Sequence, residues 1–160
     1  MAKLETIYEF LAQRRIALVG LSQNPKHFSR MLFRELIERK YHVCPVNPLA
    51  DIIDGFPCHK SIEDVMRTDY GEFPVGGALI MTSSKKYPDL VEQCIKAGVK
   101  RIWLFGVSGN DKKYPELSAM CKKNDVTLIV DLCPFMFLPQ TGLIHRLHGG
   151  LLKLFGKFPQ

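Results

Sequence analysis

The sequence predicts a three-layer α/β domain: a doubly wound, parallel five-stranded sheet, extended at its carboxyl end by a helical segment. Three observations carry that expectation. The 160 residues are 46% hydrophobic, 24% charged and 10% aromatic, the size and balance of one globular domain. Five short apolar runs alternate with longer amphipathic stretches. Strands separated by helices pair in parallel, because the crossover takes up the intervening chain. Disorder, collagen-like repeats and a disulfide-stapled miniprotein are excluded by the same composition.

In order, Glu5 to Gln13 reads as a short opening helix, and Arg15-Ile-Ala-Leu-Val-Gly20 as a buried strand ending at glycine. Ser29 to Lys40 is helical, with Leu32, Phe33, Leu36 and Ile37 on one face and Ser29 as the expected N-cap. Tyr41 to Val46 is the second strand, stopped by Asn47-Pro48, and a loop follows. Ser61-Ile-Glu-Asp64 opens a short helix with a capping-box-like start. Val75 to Thr82 is the third strand, and a helix beginning at Ser84 or Pro88 closes on Gly98. Lys100 to Phe105, Lys113 to Asn124 and Val126 to Asp131 complete the alternation as strand, helix and strand. Cys133 to Pro139 is apolar and irregular. Gly142 to Gly156 forms a last helix, with Leu143, Ile144, Leu147, Leu151 and Leu154 apolar and His145, Arg146, His148 and Lys153 basic. The expected division is a domain over 1–135 and an extension over 136–160 packed on it.

Lys and Arg number 22 against 16 Asp and Glu, a net +6 that favours anionic partners. The basic residues are scattered, so no nucleic-acid face is expected. No run approaches the roughly 20 apolar residues needed to span a bilayer. The start, Met1-Ala-Lys-Leu-Glu-Thr6, has no signal core, which predicts a cytoplasmic protein with no membrane partner. The apolar stripe of the last helix is expected to cap the sheet or make a homodimer contact. Five cysteines without a C-x-x-C pair read as free, mostly buried thiols. His42, Cys44, Cys58 and His59 lack the paired spacing of a zinc site, so no metal is expected.

In such a sheet the ligand crevice lies beyond the carboxyl ends of the strands, near the reversal of strand order. Four segments reach it: Gly20 to Ser29, Pro45 to Pro48, Thr82 to Ser84, and Phe105-Gly106. The first is a glycine turn entering a helix, where free amides and the dipole favour phosphate. Ser22 and Ser29 add hydroxyls there, and Lys26, His27 and Arg30 add charge. The G-x-G-x-x-G fingerprint is absent. So is the ribose-binding acid after the second strand, where Pro45, Asn47 and Pro48 stand and Asp51 and Asp54 fall too deep in the loop. Both absences count against NAD.

Ile16-Ala-Leu-Val-Gly-Leu-Ser-Gln-Asn-Pro25, then Ser29, then Tyr41-His-Val-Cys-Pro-Val-Asn-Pro48 together resemble the coenzyme A-binding domain family. Its members are stand-alone Rossmann-like relatives of the amino-terminal domain of the succinyl-CoA synthetase alpha subunit. Cys94 to Trp103 and Asp131-Leu-Cys-Pro134 fit the same pattern, so the resemblance spans about residues 10 to 135. It implies coenzyme A or acyl-CoA held by its ADP half across the sheet edge. Gly20, Leu21, Ser22 and Gln23, with Asn24, Lys26 and Ser29 beside them, match the phosphate-cradling turn. Asn47 with Pro45 and Pro48, then Thr82 and Ser83, match the segments after strands two and three. Phe105 and Gly106 match the end of strand four, where the pantetheine arm passes. Relatives carry arginine and proline where this chain has His27 and Phe28.

The phosphate-carrying histidine of the larger synthetase belongs to a second domain, and His145 and His148 lie elsewhere in the chain. No catalytic residue is therefore expected, and no G-x-S-x-G, H-E-x-x-H or P-loop lysine is present. The expected function is a carrier, sensor or regulatory module that binds CoA. Its alternatives are a nucleotide- or acyl-CoA-dependent enzyme using the same site, or a ligand-free protein-interaction module. Cys133 is expected to be a packed strand-end thiol rather than a partner for the CoA thiol.

Overall fold

The computed structural model describes residues 4–68, 74–106 and 114–138. Its main sheet has five parallel strands: β1 (Arg15–Val19), β2 (His42–Val46), β5 (Gly77–Ile80), β6 (Arg101–Leu104) and β7 (Thr127–Val130), in the order β2-β1-β5-β6-β7. The chain steps outward from β1 to β2, then returns across β1 to add β5. The order therefore reverses between β1 and β5, and a crevice opens there at the carboxyl ends. Register is set through Ile16, which pairs with Val43 on one side and Gly77 on the other.

Alternation along each strand feeds two cores. Ile16, Leu18, Val43, Leu79, Met81, Trp103 and Ile129 face the layer of α1 (Leu4–Leu11) and α2 (Phe28–Glu38). Ala17, Val19, Val46, Ala78, Ile80, Ile102 and Leu104 face α3 (Ile62–Arg67), α4 (Tyr87–Lys96) and α5 (Tyr114–Lys123). Trp103, fully buried, donates its indole N–H to the Leu132 carbonyl at 2.9 Å and meets Phe10 edge-on at 5.3 Å between centroids. Phe135, Phe137 and Leu138 are buried in the same core, behind a 3₁₀ turn at Pro134–Met136. Residues 136–138 thus begin the expected extension packed on the domain, while the rest of it, with the expected helix over Gly142–Gly156, lies outside the described residues.

Two expectations are corrected. The segment after β2 is not a plain loop: β3 (Ile52–Ile53) and β4 (Phe56–Pro57) form a small antiparallel hairpin, with Ile53 opposite Phe56. Its tip is Asp54-Gly55, with φ of 51° and 81°, the left-handed pair that a two-residue primed turn demands. The second correction concerns α2, whose N-cap is His27 and not Ser29. The helix starts a residue earlier because the imidazole supplies the capping acceptor. Ser61 does cap α3, accepting from the Asp64 amide at 3.1 Å. Both candidate starts of the fourth helix are real, since a 3₁₀ turn at Ser84–Lys86 runs directly into α4. No helix among the described residues is long and apolar enough to cross a membrane.

Candidate functional site

Gly20 turns the chain off β1 at φ 88°, and its amide is bound by the Val46 carbonyl at 3.0 Å. The turn that follows folds on itself. The Ser22 amide donates to Ser29 Oγ at 3.0 Å, the Asn24 amide to Ser22 Oγ at 3.1 Å, and the Lys26 amide to Asn24 Oδ1 at 3.0 Å. The His27 amide donates to the Asn24 carbonyl at 3.1 Å, and the Ser29 amide to His27 Nδ1 at 3.2 Å. The amides of Ser22, Asn24, Lys26, His27 and Ser29 are thus taken up within the turn, whereas those of Leu21 and Gln23 make no hydrogen bond with any described residue.

Arg30 and Asn47 hold the turn from below. The buried Arg30 donates from Nη1 to the carbonyls of Ser22 and Gln23, both at 3.1 Å, and from Nε to Asp54 Oδ2 at 3.1 Å. Its Nη2 completes the fork on Asp54 Oδ1, and Arg34 Nε reaches Asp54 Oδ2 at 3.0 Å. Arg30 therefore braces the turn and does not present its charge to the crevice. Asn47 donates from its side-chain Nδ2 to the Leu21 carbonyl at 2.8 Å, and its Oδ1 accepts from the Leu49 backbone amide at 2.8 Å. Of the two acids in the segment after β2, Asp54 is committed to the two arginines and Asp51 pairs with Lys60 at 2.7 Å.

Beside this turn a cleft of about 800 Å³ opens at the ends of β5 and β6. Thr82, Ser83, Phe105 and Gly106 line it, together with His27, Phe28, Met81, Ser84, Lys85, Tyr87 and Tyr114. That volume lies within the ~300–1,000 Å³ of ligand pockets. Phe28 packs on Phe105 at 5.2 Å between centroids, and Tyr87 stacks on Tyr114 at 6.4 Å. Tyr114 donates its hydroxyl to Asp131 Oδ1 at 2.6 Å. The lining is thus aromatic walls with hydroxyl, imidazole and ammonium groups at the polar positions. No carboxylate lines it among the described residues, which suits a ligand with an apolar arm and anionic oxygens.

Of the segments expected at the crevice, the structure brings His27, Phe28, Thr82, Ser83, Ser84, Phe105 and Gly106 into the cleft itself. Gln23, Asn24 and Lys26 are exposed on the neighbouring turn, whereas Leu21 and Ser29 are fully buried and serve it structurally. Pro45 points elsewhere, into a separate groove of about 560 Å³ along the outer edge of β2. Sequence reasoning passed over Lys85, Tyr87 and Tyr114. A repeated signal marks the tyrosines, because α4 and α5 begin alike, Tyr87-Pro-Asp-Leu90 and Tyr114-Pro-Glu-Leu117. Proline in the first turn and an acid after it start each helix, so both rings stand at the same sheet edge.

Gly106 is where the backbone comes closest to that wall. A Cβ there would clash with the Tyr87 hydroxyl, and the buried ring could give way only toward the cleft that it lines. Gly106→Ala is expected to lower stability by about 1–3 kcal/mol, as overpacking does. It is also expected to weaken ligand binding about tenfold by driving the tyrosine into the cleft. Urea denaturation and calorimetric titration read the two effects; unchanged binding would show that the Tyr87 wall lies outside the ligand path.

All five cysteines are free thiols. Burial pushes Cys94 up to about 12, with Cys121 beside it adding to the rise, and pushes Cys121 up to about 11. Cys133 is half-buried, caps the Pro134–Met136 turn and does not line the cleft. Burial raises its thiol as well, so little nucleophilic thiolate forms at neutral pH.

Compared with known proteins, residues 14–139 match the family model for the CoA binding domain. The chain is 27% identical over 120 residues to the uncharacterized protein YneT of Bacillus subtilis, covering 75% of this chain and 82% of that one. It is 25% identical over 124 residues to the acetate–CoA ligase (ADP-forming) of Methanocaldococcus jannaschii, covering 75% of this chain but only 17% of the ligase. A conserved hypothetical protein from Pyrococcus furiosus has the same fold, with a TM-score of 0.62 at 25% identity. That match covers 75% of this chain and 95% of the other.

Proposed function

Because the chain belongs to the CoA-binding domain family, we propose that it binds coenzyme A or an acyl-CoA reversibly across the carboxyl edge of its sheet. In this reading it acts as a carrier, sensor or regulatory module without ligase chemistry. The observation that carries the reading is the cleft beside the Gly20 turn, at the reversal of strand order between β1 and β5. The pantetheine arm lies between the Phe28–Phe105 pair and the Tyr87–Tyr114 pair, with Thr82 and Ser83 hydrogen-bonding its amides. The diphosphate stays at the polar mouth near Ser83, Lys85 and the exposed face of the turn, Gln23, Asn24 and Lys26. Gly20, Leu21, Ser29, Asn47 and its flanking prolines shape that turn.

The match to the ligase covers only that enzyme's CoA-binding portion by length, and no ligase step is assigned to this chain. Thermal unfolding with CoA, acetyl-CoA, dephospho-CoA, ADP, NAD and NADP tests the proposal. Ligand at about 100 times its dissociation constant adds roughly 2.7 kcal/mol, a clear rise in midpoint. The expected result is a rise with the CoA species and none with NAD. Folded, ligand-free protein that shifts with no CoA species overturns the proposal, and turnover of an acyl-CoA would make the chain an enzyme instead.

A further inference from the structure

We propose that His27 is a ligand-binding residue whose Nε2–H donates to an oxygen of the CoA diphosphate, and that the capping bond of α2 exists in part to hold that proton outward. The inference rests on the CoA reading above.

His27 Nδ1 receives the Ser29 amide at 3.2 Å and sits 2.9 Å from Ser29 Oγ. A backbone N–H can only donate, so Nδ1 must carry a lone pair. The ring's one remaining proton is then on Nε2. Ser29 Oγ already accepts from the Ser22 amide at 3.0 Å, which leaves its own hydrogen to point at Nδ1. Ser29 is fully buried, so this chain from Ser22 through Ser29 to His27 is anchored in the core. Tautomer and ring position are both determined by it, and neither depends on a ligand.

Nε2 occupies the opposite edge of the ring from Nδ1 and makes no hydrogen bond with any described residue. The ring borders the cleft along with Ser83, Ser84 and Lys85. The Ser83 and Ser84 hydroxyls, the Lys85 ammonium and the His27 imidazole border one cleft, and that set of donors suits an acceptor-rich anion. Of the chemical parts of CoA, the phosphoryl oxygens meet the requirement. The diphosphate joins the nucleotide lying over the turn to the arm lying in the cleft, and His27 stands at that junction.

The discriminating variant is His27→Asn. Asparagine caps helices as well as any residue, so the acceptor for the Ser29 amide is kept, while its shorter side chain leaves no donor at the position of Nε2. The midpoint of thermal unfolding is expected to stay within about 2 °C of wild type. The dissociation constant for CoA is expected to rise at least tenfold, and by the same factor for dephospho-CoA. Wild-type affinity in His27→Asn overturns the assignment. A loss seen with CoA but absent with dephospho-CoA overturns it too, since the imidazole would then read the 3′-phosphate. Nitrogen-15 spectra of the imidazole give a second reading in the full chain. An unprotonated Nδ1 in free protein, with a shift confined to Nε2 on adding CoA, is the expected pattern, and a ring protonated on Nδ1 contradicts the proposal. If wild-type protein binds no CoA species, the functional reading itself fails, which is distinct from a His27 variant that binds normally.

Discussion

Replacing Arg30 with methionine is expected to lower the unfolding free energy by about 3 kcal/mol and to weaken CoA binding by more than tenfold. The stem of the side chain is conserved in size, so what is lost is the guanidinium. It has four duties: two bonds to the Asp54 carboxylate and one to each of the Ser22 and Gln23 carbonyls. Removing one member of a fully buried pair costs about 3–5 kcal/mol; here Arg30 is buried but Asp54 is exposed, with 26% of its side chain accessible. Asp54 retains Arg34, which places the loss at the low end of that range. Asp54→Asn should cost less, about 1 kcal/mol, since the amide oxygen still accepts and both turn carbonyls keep their donor. The double variant should fall short of the sum, showing that the two residues act together. Equal stability of wild type and Arg30→Met in urea would remove Arg30 from the structural account of the site.

The same contact sets the acid limit. Hydrogen bonds from Arg30 first, and from Arg34 second, hold the Asp54 carboxyl below its ordinary value near 3.8. A carboxyl depressed in the folded state adds stability that is complete above the unfolded value. That stability is lost as pH falls through the folded one. The gap between wild type and Arg30→Met should therefore be constant from pH 7 to about pH 5 and narrow below about pH 4. Denaturation at three pH values checks the sign.

The strands were legible in the sequence because parallel, doubly covered strands are continuous apolar runs, and Arg15–Val19 and Gly77–Ile80 show it plainly. Cleft residues on strand ends, such as Thr82 and Phe105, follow from the fold alone. What escaped was mostly local hydrogen-bond chemistry. Ser29 looked like the cap because serine usually is one, whereas His27 competes for the same amide and wins by sitting in extended conformation just outside the helix. The hairpin was in view as Ile-Ile-Asp-Gly-Phe-Pro, an Asp-Gly turn between apolar pairs, but strands of two residues carry too little periodicity to register. Its function is equally hidden in a linear reading. The turn tip sends Asp54 back 24 residues to Arg30, so the hairpin becomes a strut for the glycine turn. Tyr87 and Tyr114 were missed because their meeting depends on two helices being neighbours, which sequence order does not state.

Gly20→Ala is expected to have the largest effect, about 4 kcal/mol of lost stability and no measurable CoA binding. Two separate costs add. A non-glycine residue at φ 88° leaves its favoured region at about 1–3 kcal/mol. The new Cβ would also stand 2.6 Å from Thr82 Cγ2 and 2.9 Å from the Met81 carbonyl oxygen. Neither the turn nor the strand can yield cheaply: the Gly20 amide is held by Val46 at 3.0 Å, and the Met81 amide by Val19 at 2.8 Å. The steric part is separable. Thr82→Ser deletes the nearer obstacle, so the pair Gly20→Ala with Thr82→Ser should recover roughly 1 kcal/mol over Gly20→Ala, leaving the backbone cost and the carbonyl contact in place. No recovery would mean that the Met81 carbonyl, and not the threonine methyl, is what the glycine accommodates. A Gly20→Ala protein as stable as wild type would show that the turn can adopt another path off β1. In that event the placement of the diphosphate beside His27 would have to be redrawn.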